Sequence, residues 1–393
     1  MKYYPLILLM LISVSCTDQK LPDSYEGQLN VLQQQYESFC TDAPRFFLFG
    51  MGNRDKYVYK DYQLISIDND SVIFHADSVL QDSIMPDKYM VQIETTGGTI
   101  RIEEDEIGIW ISQGKNRCRI PGKECTLKLP TFQEHKYGKV LRVLHHELLF
   151  NVQNSRIYPN ILVYREPFYR DAFMAALCLE KTENTNLLSH WLYEEENVYD
   201  MQNGEAEADN IGEMLYMLSF ISTDSNSILR KRLKEEIQAQ TIKEDDYQYI
   251  KGHTDGAENA AYQTQILKYA LQKNGMPDSF TEPPAQSAGA YFDLCWFTQG
   301  SSHNRDLLQR YKDFRFNYKD SPFPYLHWAR AHYYSNFKAP FNQQQYPLSW
   351  EKRGGSAHFE GMHVISDKAV GERICYPHAW TAAEMFLKLY DEQ

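Results

Sequence analysis

The stretch that decides the fold is an acidic segment that leads into a helix, GEAEADNIGE at residues 204–213. A second segment of this kind follows further along the chain, GHTDGAEN at residues 252–259. Apolar residues recur at helical spacing behind both segments, which predicts an amphipathic helix after each. Carboxylates at the starts of successive helices can place an acid and a base around one substrate. The two segments therefore predict a helical protein whose polar loops carry function.

Ordinary helix capping is the alternative reading of the same residues. Asn210 and Glu213 have the spacing of a capping box, and the helix dipole favours acidic residues in a first turn. For each carboxylate, capping or solvation therefore stands beside a role in catalysis.

Residues 1–16 predict an export signal. Lys2 precedes an apolar run at residues 6–12 that is too short to span a bilayer, and small residues lead to Cys16. This pattern predicts acylation of Cys16 and a location in the cell envelope, periplasm or outer membrane, with membrane contact through the lipid anchor only. Ser13 stands where lipoprotein signals usually carry an aliphatic residue, so a simple secretory signal with Cys16 incidental is the alternative.

Composition excludes one class of partner and favours another. The net charge is −13 and lysine and arginine form no cluster, so we expect no nucleic-acid binding, which needs a basic surface. Aromatic residues make up 14% of the chain and include 28 tyrosines. Tyrosine and tryptophan rings fill cores, but they also stack on the C–H faces of sugars. The composition is therefore compatible with a carbohydrate partner.

Cofactor and cysteine patterns give further expectations. The sequence has no CxxC pair, HExxH motif, EF-hand pattern or glycine-rich phosphate loop, so we predict no metal and no cofactor. Cys118 and Cys125 flank a turn-rich segment, which predicts a disulfide in an exported protein. The remaining thiols predicted to be buried are Cys178, Cys295 and Cys375.

Periodicity divides the mature chain into three parts. Residues 17–42 read as a tether with a short helix, and residues 43–136 as a small β-rich region of short β-branched and aromatic runs separated by turns. From residue 137 to 393 the period becomes helical. Helices are predicted at about 168–181, 185–193, 209–222, 226–239, 259–273, 287–299, 325–336 and 377–391.

Three segments together resemble the six-hairpin glycosidase superfamily, the α/α toroids that include glucoamylase, trehalase and the processing α-glucosidases. They are YREPFYRDAF at residues 164–173, the acidic segment at 205–213, and YPHAWTAAE at 376–384. The resemblance covers about residues 140–391. It implies a mainly α fold, an (α/α)6 toroid of helical hairpins with a small N-terminal antiparallel β element.

The resemblance also implies an activity. Such enzymes are mostly inverting glycoside hydrolases that act on the end of an oligosaccharide or polysaccharide, with an acid and a base held about 6.5–9.5 Å apart. The candidates for the acid are Glu205, Glu207 and Asp209, of which Glu207 is favoured. The candidates for the base are Asp255, Glu258 and Glu360.

The candidate substrate-binding residues each have a structural alternative. They are Arg170, Asp171, Trp350, His358, His378 and Trp380. The first two also fit a buried ion pair at a helix start, the tryptophans fit a core, and the histidines lack metal-ligand spacing and fit buried, hydrogen-bonded positions.

Two other functions stay open at this stage. A non-catalytic glycan-binding lipoprotein would keep the fold without a working acid and base. A polysaccharide lyase would need arginine and lysine to hold acidic sugars, and this chain is poor in them.

Overall fold

The computed structural model describes residues 22–35, 37–39, 45–162, 164, 166–254, 256–281, 283–284, 340–349 and 377–391. Some of the residues and helices predicted above fall outside these ranges. They are Cys16, Asp255, Cys295, Trp350, His358, Glu360, Cys375 and the helices at about 287–299 and 325–336.

The N-terminal half of the described chain forms two antiparallel sheets. The first has four strands in sequential order: β2 (Phe47–Phe49), β3 (Tyr57–Lys60), β4 (Gln63–Ser66) and β5 (Val72–His75). The second has five: β6 (Val79–Met85), β7 (Met90–Thr95), β8 (Gly98–Glu104), β9 (Ile109–Gln113) and β10 (Asn116–Arg119). Burial alternates along β7, whose Val91, Ile93 and Thr95 are buried. This alternation is the two-residue period that the sequence shows.

Short strand pairs complete the sheet structure. The parallel pair is β1 (Glu37–Phe39) with β17 (Pro340–Asn342). The antiparallel pairs are β11 (Val152–Gln153) with β12 (Arg156–Ile157), β13 (Thr241–Glu244) with β14 (Tyr247–Ile250), and β15 (His253–Thr254) with β16 (Ala257–Glu258).

Eight α-helices lie within the described residues. They are α1 (Tyr25–Gln35), α2 (Gly138–Phe150), α3 (Tyr169–Lys181), α4 (Ser189–Glu194), α5 (Asp209–Met217), α6 (Ser227–Gln240), α7 (Ala260–Lys273) and α8 (Ala379–Tyr390). Single 3₁₀ turns occur at Pro86–Lys88, Thr185–Leu188 and Leu218–Phe220. Five of the helices pack side by side in the order α2, α8, α3, α5, α7. No helix in the described part of the chain is long and apolar enough to cross a membrane.

Four helices of this row run in the same direction. The starts of α3 and α5 are joined by Arg170 and Asp209, and their ends by Glu180 and Tyr216. The end of α7 reaches the end of α5, because the Asn274 side chain donates to a Leu215 carbonyl in α5. The pairs Asp171–His378 and Lys181–Asp391 join the starts and the ends of α3 and α8. The N-termini of α3, α5, α7 and α8 therefore lie at one end of the row.

Helix α2 runs the opposite way and connects the row to the sheets. At its C-terminal end, the Asn151 side chain donates to the carbonyl of Pro377, just before α8, at 2.9 Å. From the sheet side, the buried ammonium of Lys56 donates to the carbonyls of Gly52 and Val152 at 2.6 and 2.7 Å. His146 of α2 contacts the Leu48 carbonyl at 3.0 Å. These buried polar contacts fix the sheets against α2.

Gly212 lets α7 pack closely against α5. A Cβ at this position would lie 2.7 Å from the backbone nitrogen of Leu267 and 2.9 Å from the carbonyl carbon of Ile266. Any side chain here would force the two helices apart.

The predicted fold class is wrong. The described residues combine five antiparallel sheets with eight helices in a mixed α/β architecture, whereas the prediction is a mainly α (α/α)6 toroid with a small β element. The sheets carry far more of the chain than a minor element would. The positions of individual helices are predicted well, since α3, α6 and α7 each begin and end within a residue of the expected bounds.

Two local predictions are also wrong. Cys118 and Cys125 are free thiols, so the expected disulfide is not formed. Asn210 does not cap α5, because the helix begins at Asp209 with Ala208 at the cap and places Asn210 inside the first turn. The prediction of a buried thiol at Cys178 is confirmed.

Candidate functional site

Polar and charged side chains gather at the end of the row where the four N-termini lie. They come from the first two turns of α3 and α5, from the segment before α5, and from the residue before α8. We call this group the helix-start cluster, and it consists of Arg170, Asp171, Glu207, Asp209, Asn210, Glu213 and His378. Helix N-termini carry partial positive charge and unpaired N–H groups, which favours carboxylates at this end of the row.

Arg170 lies between two buried carboxylates. Its Nε is 2.7 Å from Asp209 Oδ2, and its Nη2 is 3.1 Å from Glu207 Oε1. The other oxygen of Glu207 accepts a hydrogen bond from the Asn203 side chain at 3.0 Å. Glu207 is 1% exposed and Asp209 is fully buried, so the guanidinium compensates two charges that are shielded from bulk solvent. Asp209 Oδ1 has no hydrogen-bond partner among the described residues.

Glu213 is a buried acid with neutral partners. One carboxyl oxygen accepts from Tyr262 of α7 and the other from Asn210, each at 3.1 Å. Burial raises the pKa of Glu213 well above its usual value, and the nearby charge of Asp209 raises it further. Glu213 follows Asp209 by four residues, so the two side chains are neighbours on one helix face. The cluster thus combines an acid that favours its protonated form with a carboxylate in an ion pair.

Asp200 joins the start of α3 to the start of α5. Its carboxylate accepts from the backbone N–H of Tyr169 at 2.6 Å, and its own backbone N–H donates to Asn210 at 3.1 Å. Burial raises the pKa of Asp200, while the hydrogen bonds from Gln202 and Tyr169 act in the opposite direction. Through these bonds the loop before α5 holds Asn210, and Asn210 in turn orients Glu213.

His378 closes the other side of the cluster. Its Nε2 lies 3.7 Å from Asp171 Oδ1, and burial lowers the pKa of the imidazole to about 3, so the ring is neutral. Tyr164 lies beside it, with ring centroids 6.2 Å apart, and contacts Phe168 edge-on at 5.4 Å. The side chains of Arg170 and Asp171 are 13% and 14% exposed, so they form the part of the cluster that solvent reaches.

The structure unites some of the predicted site residues and separates others. It brings Arg170, Glu207 and Asp209 into direct contact and pairs Asp171 with His378. Glu205 and Glu258 lie outside the cluster with side chains 42% and 48% exposed. Trp380 is buried in α8 at 1% exposure. Four predicted residues lie outside the described chain: Asp255, Trp350, His358 and Glu360.

Sequence reasoning missed Glu213 as a member of the site. Its spacing from Asn210 fits a capping box, but it lies inside α5 and bonds across to α7. A signal is present in the sequence: residues 211–218 read IGEMLYML, and Glu213 is the charged residue in this otherwise apolar helix segment. A charge on an apolar helix needs a buried partner, and that requirement points to function or to a polar contact between helices.

Clustered acids can also serve as ligands of a metal ion. Within the residues that the structure describes, no group of three or more His, Cys, Asp or Glu side chains has the geometry to hold one.

No protein-family model, no curated protein and no solved structure matches this chain. The prediction that it belongs to the six-hairpin glycosidase superfamily is therefore wrong, because no match supports that family and the sheets do not fit its mainly α toroid. A function for this chain has to be argued from its own residues.

Proposed function

We propose that the chain is a glycoside hydrolase of the cell envelope whose active site is the helix-start cluster. The observation that carries the proposal is the contrast between two carboxyl groups one helical turn apart. Glu213 is buried with a raised pKa, and Asp209 is ion-paired to Arg170. Paired acids in environments that separate their pKa values are how hydrolases of glycosidic bonds assign the acid and the carboxylate.

In this proposal each residue has a role that its surroundings support. Glu213 donates a proton to the leaving oxygen, since burial favours its protonated form. Asp209 activates water through Oδ1, the oxygen without a partner among the described residues. Arg170 holds Asp209 through the other oxygen, and its side chain, which is partly exposed, contacts substrate hydroxyls.

Charge supports a neutral glycan as substrate over an acidic one. The helix-start cluster contains four carboxyl groups, with Arg170 as its single permanent cation and His378 as a neutral ring. A uronate would meet these carboxyl groups, and the one cation of the cluster is already shared by two of them. The same argument disfavours a polysaccharide lyase, whose substrates are acidic sugars.

One observation favours a second candidate, a glycan-binding protein without catalysis. Asp209 and Glu213 are both fully buried, so a substrate has to reach groups that solvent does not. In this alternative Arg170 and Asp171, which solvent reaches, bind the glycan, and the buried acids only support them.

The test is release of reducing ends from a panel of neutral and uronate-containing oligosaccharides. Glu213→Gln should lower turnover by about 10²–10⁴ and leave glycan binding intact, as expected for loss of a general acid. Glu180→Gln is the matched control, because Glu180 also accepts a hydrogen bond from a tyrosine, Tyr216 at 2.7 Å, but at the opposite end of the row. Binding without hydrolysis by the wild type would reject the enzyme and keep the binding protein.

We also propose that the mature protein is anchored through acylated Cys16. The support is the short apolar run at residues 6–12 followed by small residues and Cys16. Cys16→Ser should move the protein from the membrane fraction to the soluble fraction. An unchanged distribution between the fractions would leave a simple secretory signal as the better explanation.

A further inference from the structure

A second buried carboxylate lies on α2, outside the helix-start cluster. Glu147 is fully buried, and its oxygens accept hydrogen bonds from the backbone N–H groups of Leu348 and Ser349 at 2.7 and 2.9 Å. The hydroxyl of Ser349 donates to it as well. All three donors come from one short segment that is about 200 residues away in sequence. Glu147 therefore fixes residues 348–349 against α2.

The same segment holds the start of α8. The carbonyl of Ser349 accepts a hydrogen bond from the backbone N–H of His378 at 2.6 Å. The next backbone N–H, that of Ala379, donates to the Pro159 carbonyl at 2.7 Å. A continuous set of hydrogen bonds thus leads from Glu147 through Ser349 to His378, and the His378 ring faces Asp171 in the helix-start cluster.

We infer that Glu147 is a positioning residue for the helix-start cluster, acting through the backbone of Ser349 to hold His378 beside Asp171. This positioning does not depend on the proposed function. Any effect of Glu147 on turnover does rest on that proposal. Glu147 does not touch the cluster itself, so it is not a catalytic residue.

Removal of the Glu147 carboxylate should disturb His378, because it leaves the donors at residues 348–349 without an acceptor. Three donors would then be buried without an acceptor, and each unsatisfied group carries the full cost of its desolvation. The segment at 348–349 can avoid this cost by moving toward water. Such a movement withdraws the Ser349 carbonyl from His378, which leaves one side of the α8 start without its partner.

The experiment is amide hydrogen exchange measured residue by residue on the full chain. In Glu147→Ala, exchange at Leu348, Ser349 and His378 should be about 10- to 100-fold faster than in the wild type, corresponding to one lost hydrogen bond to a charged group. Glu147→Gln should restore only part of the protection, because its single amide oxygen can accept one of the two backbone bonds while its amide N–H₂ group meets the other donor. Asp87→Asn is the control: Asp87 is also buried and lies 3.8 Å from Lys139 of α2, but it accepts none of the three hydrogen bonds from residues 348–349.

The outcomes separate this inference from the proposed function. Faster exchange at 348–349 with unchanged exchange at His378 would overturn the positioning role and leave a local contact. If Glu147→Ala does not fold, Ser349→Ala removes one of the three bonds to Glu147 and keeps the backbone bonds, and the weaker hold on residue 349 should speed exchange at His378 more than Asp87→Asn does. Loss of protection at His378 in a chain that hydrolyses no glycan would keep the inference and reject the hydrolase.

Discussion

The two acidic segments that precede α5 and α7 look alike in sequence but differ in how deeply their carboxylates are buried. In the first, Glu207 and Asp209 are buried and share Arg170, which comes from another helix. In the second, Glu258 lies on the β15–β16 hairpin, half-exposed, and its partner Lys251 is half-exposed too, at 3.8 Å. The difference lies in the partner and not in the acidic residues. In the first segment the ion-paired carboxylates are buried beside a guanidinium from a distant helix, and in the second Glu258 lies at the surface beside a local lysine.

The comparison is tested most directly by removing the cation that pairs with the carboxylates of each segment. Arg170→Met should destabilise the protein by about 3–5 kcal/mol, because two buried carboxylates then lack compensation. Lys251→Met, the matched change in the second segment, should cost less than about 1 kcal/mol, since the exposed pair is screened by water. Urea unfolding followed by circular dichroism measures both. Equal losses from the two variants would show that burial of the first segment has no energetic consequence.

The next largest effect on stability is expected from carboxyl groups that are buried without a cation. It depends on pH, which distinguishes buried from exposed acids. Burial raises the pKa of Glu147 from 4.5 to about 7, so the folded state binds a proton that the unfolded state releases. The stability that this group contributes is fully present below pH 4.5 and is lost as the pH rises through 7, a change of about 3 kcal/mol. Stability measured at pH 5 and pH 8 should therefore differ less in Glu147→Gln than in the wild type.

Glu258→Gln is the control for this pH effect, because Glu258 is exposed to solvent. Its variant should show the same difference between pH 5 and pH 8 as the wild type. Glu213 should behave as Glu147 does, since burial also raises its pKa. A Glu147→Gln variant with the full wild-type pH dependence would mean that other groups cause it.

Local sequence predicts the elements better than their assembly. The bounds of α3, α6 and α7 follow from helical periodicity, and β7 follows from alternation, because both signals depend on neighbours along the chain. The architecture does not follow. The sequence predicts the strands but not how much of the fold they form. The contacts of Lys56 and His146 that join the sheets to α2 leave no trace in the strand pattern.

The site is predicted in part for the same reason. Arg170 and Asp209 can be found because charged residues at helix starts stand out in a sequence. Glu213 is misleading, since its spacing from Asn210 fits a capping box, whereas it lies inside α5 and its second partner, Tyr262, is 49 residues away. Glu147 also stands in a mostly apolar helix segment, but the sequence does not identify its three donors, because they lie about 200 residues further on. Long-range hydrogen bonds decide which acids are buried, and a single sequence does not display them.

A smaller loss of stability is expected from the packing of α5 against α7, behind the first segment. Gly212→Ala should cost about 1–3 kcal/mol, because the new methyl group meets the α7 backbone at 2.7 Å and the helices have to separate. The control in the second segment is Gly256→Asn. Gly256 has φ +68°, a Cβ there would meet no described atom within 4 Å, and asparagine tolerates this left-handed region. Thermal unfolding should show a lower midpoint for Gly212→Ala alone, and equal midpoints would mean that α5 and α7 adjust freely.

The smallest effect is expected where the two segments meet at the surface. Glu205 and His253 lie 3.9 Å apart with side chains 42% and 53% exposed, so their attraction is screened. Glu205→Gln should change the free energy of unfolding by less than about 0.5 kcal/mol, since surface substitutions rarely do more. Glycan binding and turnover should also match the wild type, because Glu205 has no contact with Arg170 among the described ion pairs. Urea unfolding and the oligosaccharide panel test both expectations. Two results would contradict this expectation: a loss of stability above about 1 kcal/mol, twice the usual limit for a surface change, or a loss of turnover comparable to that of Glu213→Gln. Either result would mean that Glu205 acts together with the buried acids of its segment, and the distinction between buried and exposed acids would no longer hold.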